Sequence, residues 1–145
     1  MALRVRTCGE SAVLVEVGET ADVLGLLGGL RADPIEGVTS LVPAARTLLL
    51  SYAPEKIDAE TLTAELLRRP LLAPAVRTLD EVVVPVHYEG PDLADVARHC
   101  GLSEREVVAR HTAGRYRVAF CGFAPGFAYL TGLDRSLYVP RRPSP

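Results

Sequence analysis

The 145-residue chain predicts an α+β fold in two parts, and three features carry that expectation. Period-two apolar runs and two amphipathic helical stretches follow one another in the order β-β-α-β-β-α over residues 1–70, which suits a small sandwich. Pro70 and Pro74 then sit in a stretch with neither a helical nor a strand period, marking residues 71–80 as a linker. Residues 81–145 open a fresh set of strand and helix signals and are expected to form a second domain.

In the first part, Leu3-Arg-Val-Arg-Thr7 alternates and residues 12–17 form an apolar run after Cys8-Gly-Glu-Ser, predicting an antiparallel hairpin. Thr20 and Asp22 can cap a helix running to about residue 31, with Val23, Leu26, Leu27 and Leu30 on one face. Gly25, Gly28 and Gly29 weaken that helix by up to ~1 kcal/mol each against alanine, unless their lack of a side chain lets it sit tightly on a sheet. They are not a phosphate loop, because no strand precedes them and no Lys-Ser/Thr follows. Residues 38–42 and 47–52 read as two more strands, the first bounded by Pro43. Asp58 caps a helix carrying Leu62, Leu66 and Leu67. It ends at Arg68-Arg69-Pro70, where the two arginines complement the helix dipole. Both helices are expected on one face of the sheet.

In the second part, residues 81–86 read as a strand in which Pro85 marks an edge or a bulge. Pro91 at a first helical position opens a helix over residues 92–100, which Gly101 stops. Ser103-Glu-Arg-Glu106 is a capping box for a further helix through Val107, Val108 and His111. Tyr116-Arg-Val-Ala-Phe-Cys121 alternates again and delivers the chain to a loop rich in glycine and aromatics.

Composition excludes several classes. Apolar residues make up 48% and charged residues only 23%, which is ample for a packed core and argues against disorder. A formal charge of −2 gives no electrostatic reason to expect nucleic acid or an anionic membrane as partner. No apolar run reaches the roughly 18 residues that span a bilayer, and the alternating N-terminus is not a signal peptide. Cys8, Cys100 and Cys121 are odd in number and widely spaced, which fits reduced thiols in the cytoplasm better than disulfides or a zinc site. His87, His99 and His111 are likewise scattered, and no metal is expected.

The most informative stretch is Gly122-Phe-Ala-Pro-Gly-Phe-Ala-Tyr-Leu-Thr-Gly-Leu133. A plain surface turn needs the glycines and the proline but not Phe123, Phe127 and Tyr129. The combination reads either as a fixed-shape loop whose backbone approaches a ligand while its rings exclude water, or as a packed Ω-loop with no ligand. The N–H groups between Gly122 and Gly126 suit an oxyanion, and Gly122, Phe123, Pro125, Gly126, Phe127 and Tyr129 are the candidate substrate-binding residues. At least one of the three rings is expected to pack in the core beneath the loop.

Catalytic candidates are few. No Gly-x-Ser-x-Gly, His-Glu-x-x-His or Walker pattern occurs. Cys121, at the end of an apolar strand, reads as a buried structural cysteine rather than a nucleophile. His111 ends a helix, where the dipole favours imidazolium, so it suits anion binding or acid/base work; satisfying the last helical carbonyls is the plainer reading. Arg141 and Arg142 are paired arginines that can grip a carboxylate or phosphate, or form a solvated basic turn.

Gly-Phe-x-Pro-Gly-Phe-x-Tyr-Leu-x-Gly-Leu, followed by Val139-Pro140-Arg141-Arg142, resembles the signature of the KipI / allophanate hydrolase subunit 1 family, mostly described as the B subunit of bacterial ATP-dependent 5-oxoprolinase. Gly9-Glu-Ser-Ala-Val-Leu-Val-Glu-Val-Gly18, residues 42–54 and Val84-Pro-Val-His-Tyr-Glu-Gly-Pro-Asp-Leu93 resemble further family segments, in the family's order. The resemblance implies that residues 81–145 are the first part of a cyclophilin-like β-barrel domain, whose pattern in the family continues past residue 145. Two or three strands cannot close an eight-stranded barrel, so a truncated chain with exposed strand edges, inactive alone, is expected.

The implied reaction is ATP-dependent opening of the 5-oxoproline lactam to glutamate, with ATP bound by this chain or a partner, alongside C-type and A-type subunits. A histidine at the spacing of His111 recurs in the family motif, and a small carboxylate or amide substrate requires a cation such as Arg141. An allophanate hydrolase or urea carboxylase-type carboxyltransferase subunit, and a KipI-type histidine kinase inhibitor, are the other roles the resemblance implies.

Overall fold

The computed structural model describes residues 3–71 and 81–141. The chain divides into two compact units, Met1–Thr78 and Leu79–Pro145. Apart from Leu71, the expected linker over residues 71–80 lies outside the described residues.

The first unit runs β1 (Arg4–Thr7), β2 (Ala12–Glu16), α1 (Thr20–Ala32), β3 (Val38–Pro43), β4 (Thr47–Tyr52) and α2 (Ala59–Arg68), the order read from the sequence. Its strands form one antiparallel sheet in the order β1-β2-β4-β3. Alternation sets the faces: Val13 and Val15 on β2 stand opposite Leu50 and Leu48 on β4, and all four are fully buried. Val23, Leu26, Leu27 and Leu30 of α1 and Leu62 and Leu66 of α2 pack in the same cluster, so both helices cover one face. Leu67 does not join them and is exposed, because one residue beyond Leu66 is a rotation of about 100° around the helix.

Two helix ends differ from expectation. The N-cap of α1 is Glu19 rather than Thr20 or Asp22. Asp22 occupies the third helical position, where its carboxylate accepts the Glu19 N–H at 3.1 Å, and the Thr20 hydroxyl donates to the Ala45 carbonyl. At the end of α2, Arg68 pairs with Glu65 one turn back. Arg69 instead reaches the C-terminal cap of α1, donating to the Asp33 carbonyl at 2.6 Å and pairing with its carboxylate at 3.0 Å. The cation therefore complements the dipole of α1, not that of its own helix. Asp58 caps α2 as expected, accepting the Thr61 N–H at 2.7 Å.

Gly28 faces open space: a Cβ added there would meet nothing within 4 Å. Close packing on the sheet is therefore not its reason for being glycine. Gly28→Ala is expected to stabilise the first unit by about 0.5–1 kcal/mol, read as a higher urea midpoint at unchanged slope.

The second unit holds α3 (Leu93–Cys100), α4 (Glu104–Ala113), β5 (Arg117–Cys121), β6 (Ala128–Thr131) and a 3₁₀ turn at Arg135–Leu137. Ala97, Val107 and Leu137 form its buried core, flanked by Leu93, Val96, Leu102 and Leu133. Pro91 precedes the N-cap Asp92 instead of occupying the first helical position, and Gly101 stops α3 at φ 66°. Ser103 and Glu106 make the expected reciprocal box: the Ser103 N–H donates to the Glu106 carboxylate at 2.8 Å and the Glu106 N–H to the Ser103 hydroxyl at 3.3 Å.

Residues 81–86 do not form a strand. Val82, Val83, Val84 and Val86 are exposed, and no described strand pairs with them. Valine-rich alternation states a preference for a pleated surface, and a strand forms only where a neighbour supplies the ladder. Among the described residues the sheet of this unit is the β5–β6 pair alone, not a closed barrel.

The exposed carboxyls that cap turns respond to acid. The Thr61 N–H lowers the pKa of Asp58, the Ser103 hydroxyl that of Glu106, and the Ser136 N–H that of Asp134. Each folded-state pKa lies below its unfolded value, so the stability it contributes is present above the ordinary carboxylate range and is lost as pH falls through and below it. The urea midpoint is expected to fall below about pH 4, with a shallower fall in Asp58→Asn and Glu106→Gln than in the parent.

Candidate functional site

His111 sits in the last turn of α4, and its imidazole lies between two tyrosines. Tyr88 Oη is 2.6 Å from His111 Nδ1, with the rings edge-on at 78° and 5.7 Å between centroids. Tyr116, just ahead of β5, lies tilted against the imidazole at 5.2 Å, and its hydroxyl donates to the His111 carbonyl at 2.8 Å. That carbonyl is thus satisfied by a tyrosine, and the ring is left to the Tyr88 contact rather than to the helix end. Burial first, then Tyr88 and Asp134, push the Tyr116 phenol up, which keeps it a proton donor.

The glycine-rich stretch is a β-hairpin rather than an Ω-loop. β5 and β6 pair from Arg117↔Thr131 to Cys121↔Ala128, and the turn closes through Gly122 N–H to Phe127 O at 3.1 Å and Phe127 N–H to Ala124 O at 3.0 Å. Phe123 has φ 71° and Gly126 φ 77°. The left-handed region is unusual for a phenylalanine, and such strain concentrates at functional turns. The Gly122 and Ala124 N–H groups are consumed inside the turn. Pro125 has none, so among the described residues the Phe123 and Gly126 N–H groups are those left to face an anion.

The rings of the hairpin form an open ladder. Phe120 stacks on Tyr129 at 4.6 Å, Tyr129 meets Phe127 edge-on at 5.2 Å, and Phe127 meets Phe123 at 5.5 Å. Phe123 is 91% exposed and Phe127 and Tyr129 are also exposed, so none of the three packs in the core and none walls off solvent within this chain. Cys121, expected to be buried, is exposed, because among the described residues no layer covers the β5–β6 pair.

Arg141 is exposed, and among the described residues it makes no ion pair; Arg142 lies outside them. No hydrogen bond or ring contact joins His111 to the hairpin rings or to Arg141 among the described residues. The candidates therefore fall into a histidine–tyrosine cluster, a hairpin ladder and a separate arginine.

Sequence reasoning missed an open cleft of about 450 Å³ lined by Ala109, Arg110, Ala113, Gly114, Gly132 and Asp134. Arg110, one of the lining residues, donates to the Ser136 hydroxyl at 2.8 Å. Small residues one turn apart on α4 were the available sign. Tyr88 was also missed, although it stands in the Val84–Leu93 segment that carried part of the resemblance. Among the described residues no group of three or more His, Cys, Asp or Glu side chains is placed to hold a metal ion, and no helix is long and apolar enough to cross a membrane.

An antiparallel α+β unit followed by a helix-and-hairpin unit is an arrangement shared with carboxyltransferase-domain proteins. The chain belongs to the carboxyltransferase domain family, subdomain C and D, which matches residues 3–145. It is 50% identical over 74 residues to the B subunit of 5-oxoprolinase from Escherichia coli O157:H7, covering 51% of this chain and 34% of that protein. It is 31% identical over 165 aligned residues to the 5-oxoprolinase B subunit of Bacillus subtilis (strain 168), covering 98% of this chain and 68% of that protein. The chain thus spans about a third of the first relative and about two thirds of the second. Among solved structures it is similar to TTHA0988, with a TM-score of 0.65 and 32% identity over 92% of this chain and 27% of the other. It shares its fold with the Kluyveromyces lactis urea amidolyase at a TM-score of 0.57 and 14% identity, over 88% of this chain and 10% of that one.

Proposed function

We propose that this chain supplies part of the B subunit of a cytoplasmic, ATP-dependent 5-oxoprolinase, inactive alone and working with C-type and A-type subunits. The observation that carries the reading is the similarity to a 5-oxoprolinase B subunit across 98% of the chain. The geometry is compatible with it. A lactam ring opens when its carbonyl carbon is made electron-poor, which calls for hydrogen-bond donors or phosphoryl transfer at the carbonyl oxygen. His111 and the N–H groups of Phe123 and Gly126 are donors of the required type. Arg141 supplies a cation for the substrate carboxylate, and the hairpin rings supply apolar surface for the ring methylenes. ATP enters as a co-substrate, held by this chain or by a partner, and residues 81–145 are read as the first part of a cyclophilin-like barrel.

The test is 5-oxoproline-dependent release of ADP by this protein reconstituted with the C-type and A-type subunits. Release is expected in the complex and not from the chain alone. His111→Ala is expected to lower turnover by about 10²–10³-fold, the usual loss when a charge-stabilising donor is removed, and Arg141→Ala to raise KM for 5-oxoproline. Full turnover in His111→Ala would remove that residue from the site. No ADP release on adding 5-oxoproline to the parent complex would overturn the function itself.

A further inference from the structure

We propose that Tyr88 is a positioning residue that holds neutral His111 as its Nε2–H tautomer, making His111 a hydrogen-bond donor at the site and not a general base. The inference rests on the reading above that His111 serves the site.

The 2.6 Å contact between Tyr88 Oη and His111 Nδ1 admits two arrangements. In one, the phenol donates to Nδ1 and the ring proton sits on Nε2. In the other, Nδ1–H donates to the phenol oxygen, and the phenol proton needs a second acceptor. Tyr88 makes no other hydrogen bond among the described residues. A phenol is also a stronger acid than a neutral imidazole N–H, and an imidazole nitrogen a stronger base than a phenol oxygen. Both arguments place the shared proton on Tyr88, and with it the ring proton on Nε2.

The surroundings fix the pair. Tyr88 is the least exposed of residues 81–90, and besides its contact with His111 that segment reaches the rest of the unit through an exposed Glu81–Arg115 ion pair at 3.9 Å. The imidazole cannot turn freely, because Tyr116 lies against it and is itself tied to the His111 carbonyl. Among the described residues Tyr88 and Tyr116 are the titratable groups in contact with the ring, while Asp134 acts on Tyr116. Protonating His111 adds its second proton at Nδ1, and the Tyr88 oxygen turns to accept it. The Nε2–H donor persists in both charge states. A base would have to present a bare nitrogen, and the only bare nitrogen of the neutral ring is the one Tyr88 occupies.

The test uses the ¹⁵N-labelled full chain above the imidazole titration, with long-range ¹H–¹⁵N correlations and the His111 signals assigned from their loss in His111→Gln. The expected result is an Nε2–H ring with Nδ1 shifted as a hydrogen-bond acceptor, and loss of that shift in Tyr88→Phe. An Nδ1–H ring, or an Nδ1 signal that Tyr88→Phe leaves unchanged, would overturn the proposal.

In the reconstituted complex Tyr88→Phe is expected to lower kcat about tenfold, the scale of one net hydrogen bond. His111→Gln should retain at least about tenfold more turnover than His111→Ala, because the glutamine amide donates near the Nε2 position but takes up no proton. Equal loss in the two variants would overturn the donor role. The spectroscopic result stands whether or not the complex opens 5-oxoproline, and loss of turnover in His111→Ala stands whatever the tautomer. The two readings therefore fail separately.

Discussion

Leu50→Ala is expected to unfold most of the first unit at temperatures the parent tolerates. Leu50 is fully buried at the centre of β4, opposite Val13 of β2 and Leu41 of β3, under both helices. Truncating a leucine in such a place removes its transfer free energy and leaves a cavity that strands on both sides prevent from collapsing, a loss of about 2–5 kcal/mol. A domain of this length has roughly 4–10 kcal/mol in total, so the variant should lose about half of its stability. The neighbour Leu49 provides the control. It points to the opposite face and is half-buried, and Leu49→Ala should cost about 1 kcal/mol or less. Urea unfolding followed on amides of β2 and β4 reads both. Equal losses at 49 and 50 would contradict the assignment of the buried face.

That pair of leucines also explains why the first unit was legible from the sequence. Its strands are half-buried, so alternation maps directly onto the faces of the sheet, and its helices present leucines at helical spacing to that sheet. The places where reading failed are those where a choice depends on a distant partner. Arg69 looked like a cap for its own helix and serves Asp33, 36 residues earlier in the chain. The valines of residues 82–86 have the composition of a strand, but composition carries no ladder partner.

In the candidate site, His111 at a helix end and the turn at Gly122–Gly126 followed from local rules of capping and backbone freedom. The Tyr88 contact, across 23 residues, followed from nothing local. The exposed ring ladder was misread for a related reason: aromatic content signals burial only when some layer exists to cover it.

Gly132→Ala should disrupt the hairpin more than any other single methyl group in the second unit. Gly132 has φ 108°, a conformation that side-chain-bearing residues rarely adopt, and a Cβ there would sit 2.3 Å from the Arg115 carbonyl oxygen. The conformation alone costs about 1–3 kcal/mol, and the overlap with backbone adds about 1–3 kcal/mol because no side chain can move aside. Among the described residues the core of this unit is three buried residues, Ala97, Val107 and Leu137, which leaves little to absorb the strain. Relief requires Arg115 and Tyr116 to shift, and Tyr116 is what lies against the imidazole of His111. The substitution should therefore loosen the histidine cluster as well as the β5–β6 pairing.

Gly126→Ala separates the two causes, since Gly126 also has positive φ, at 77°, but its Cβ would meet nothing within 4 Å. It should cost only the conformational part, about 1–2 kcal/mol. Amide exchange across β5 and β6, together with the His111 ring signals, measures both effects in one sample. A Gly132→Ala protein with parental exchange and an unmoved His111 would mean that Arg115 yields freely, and that the close approach of the two backbones does not hold the site in place.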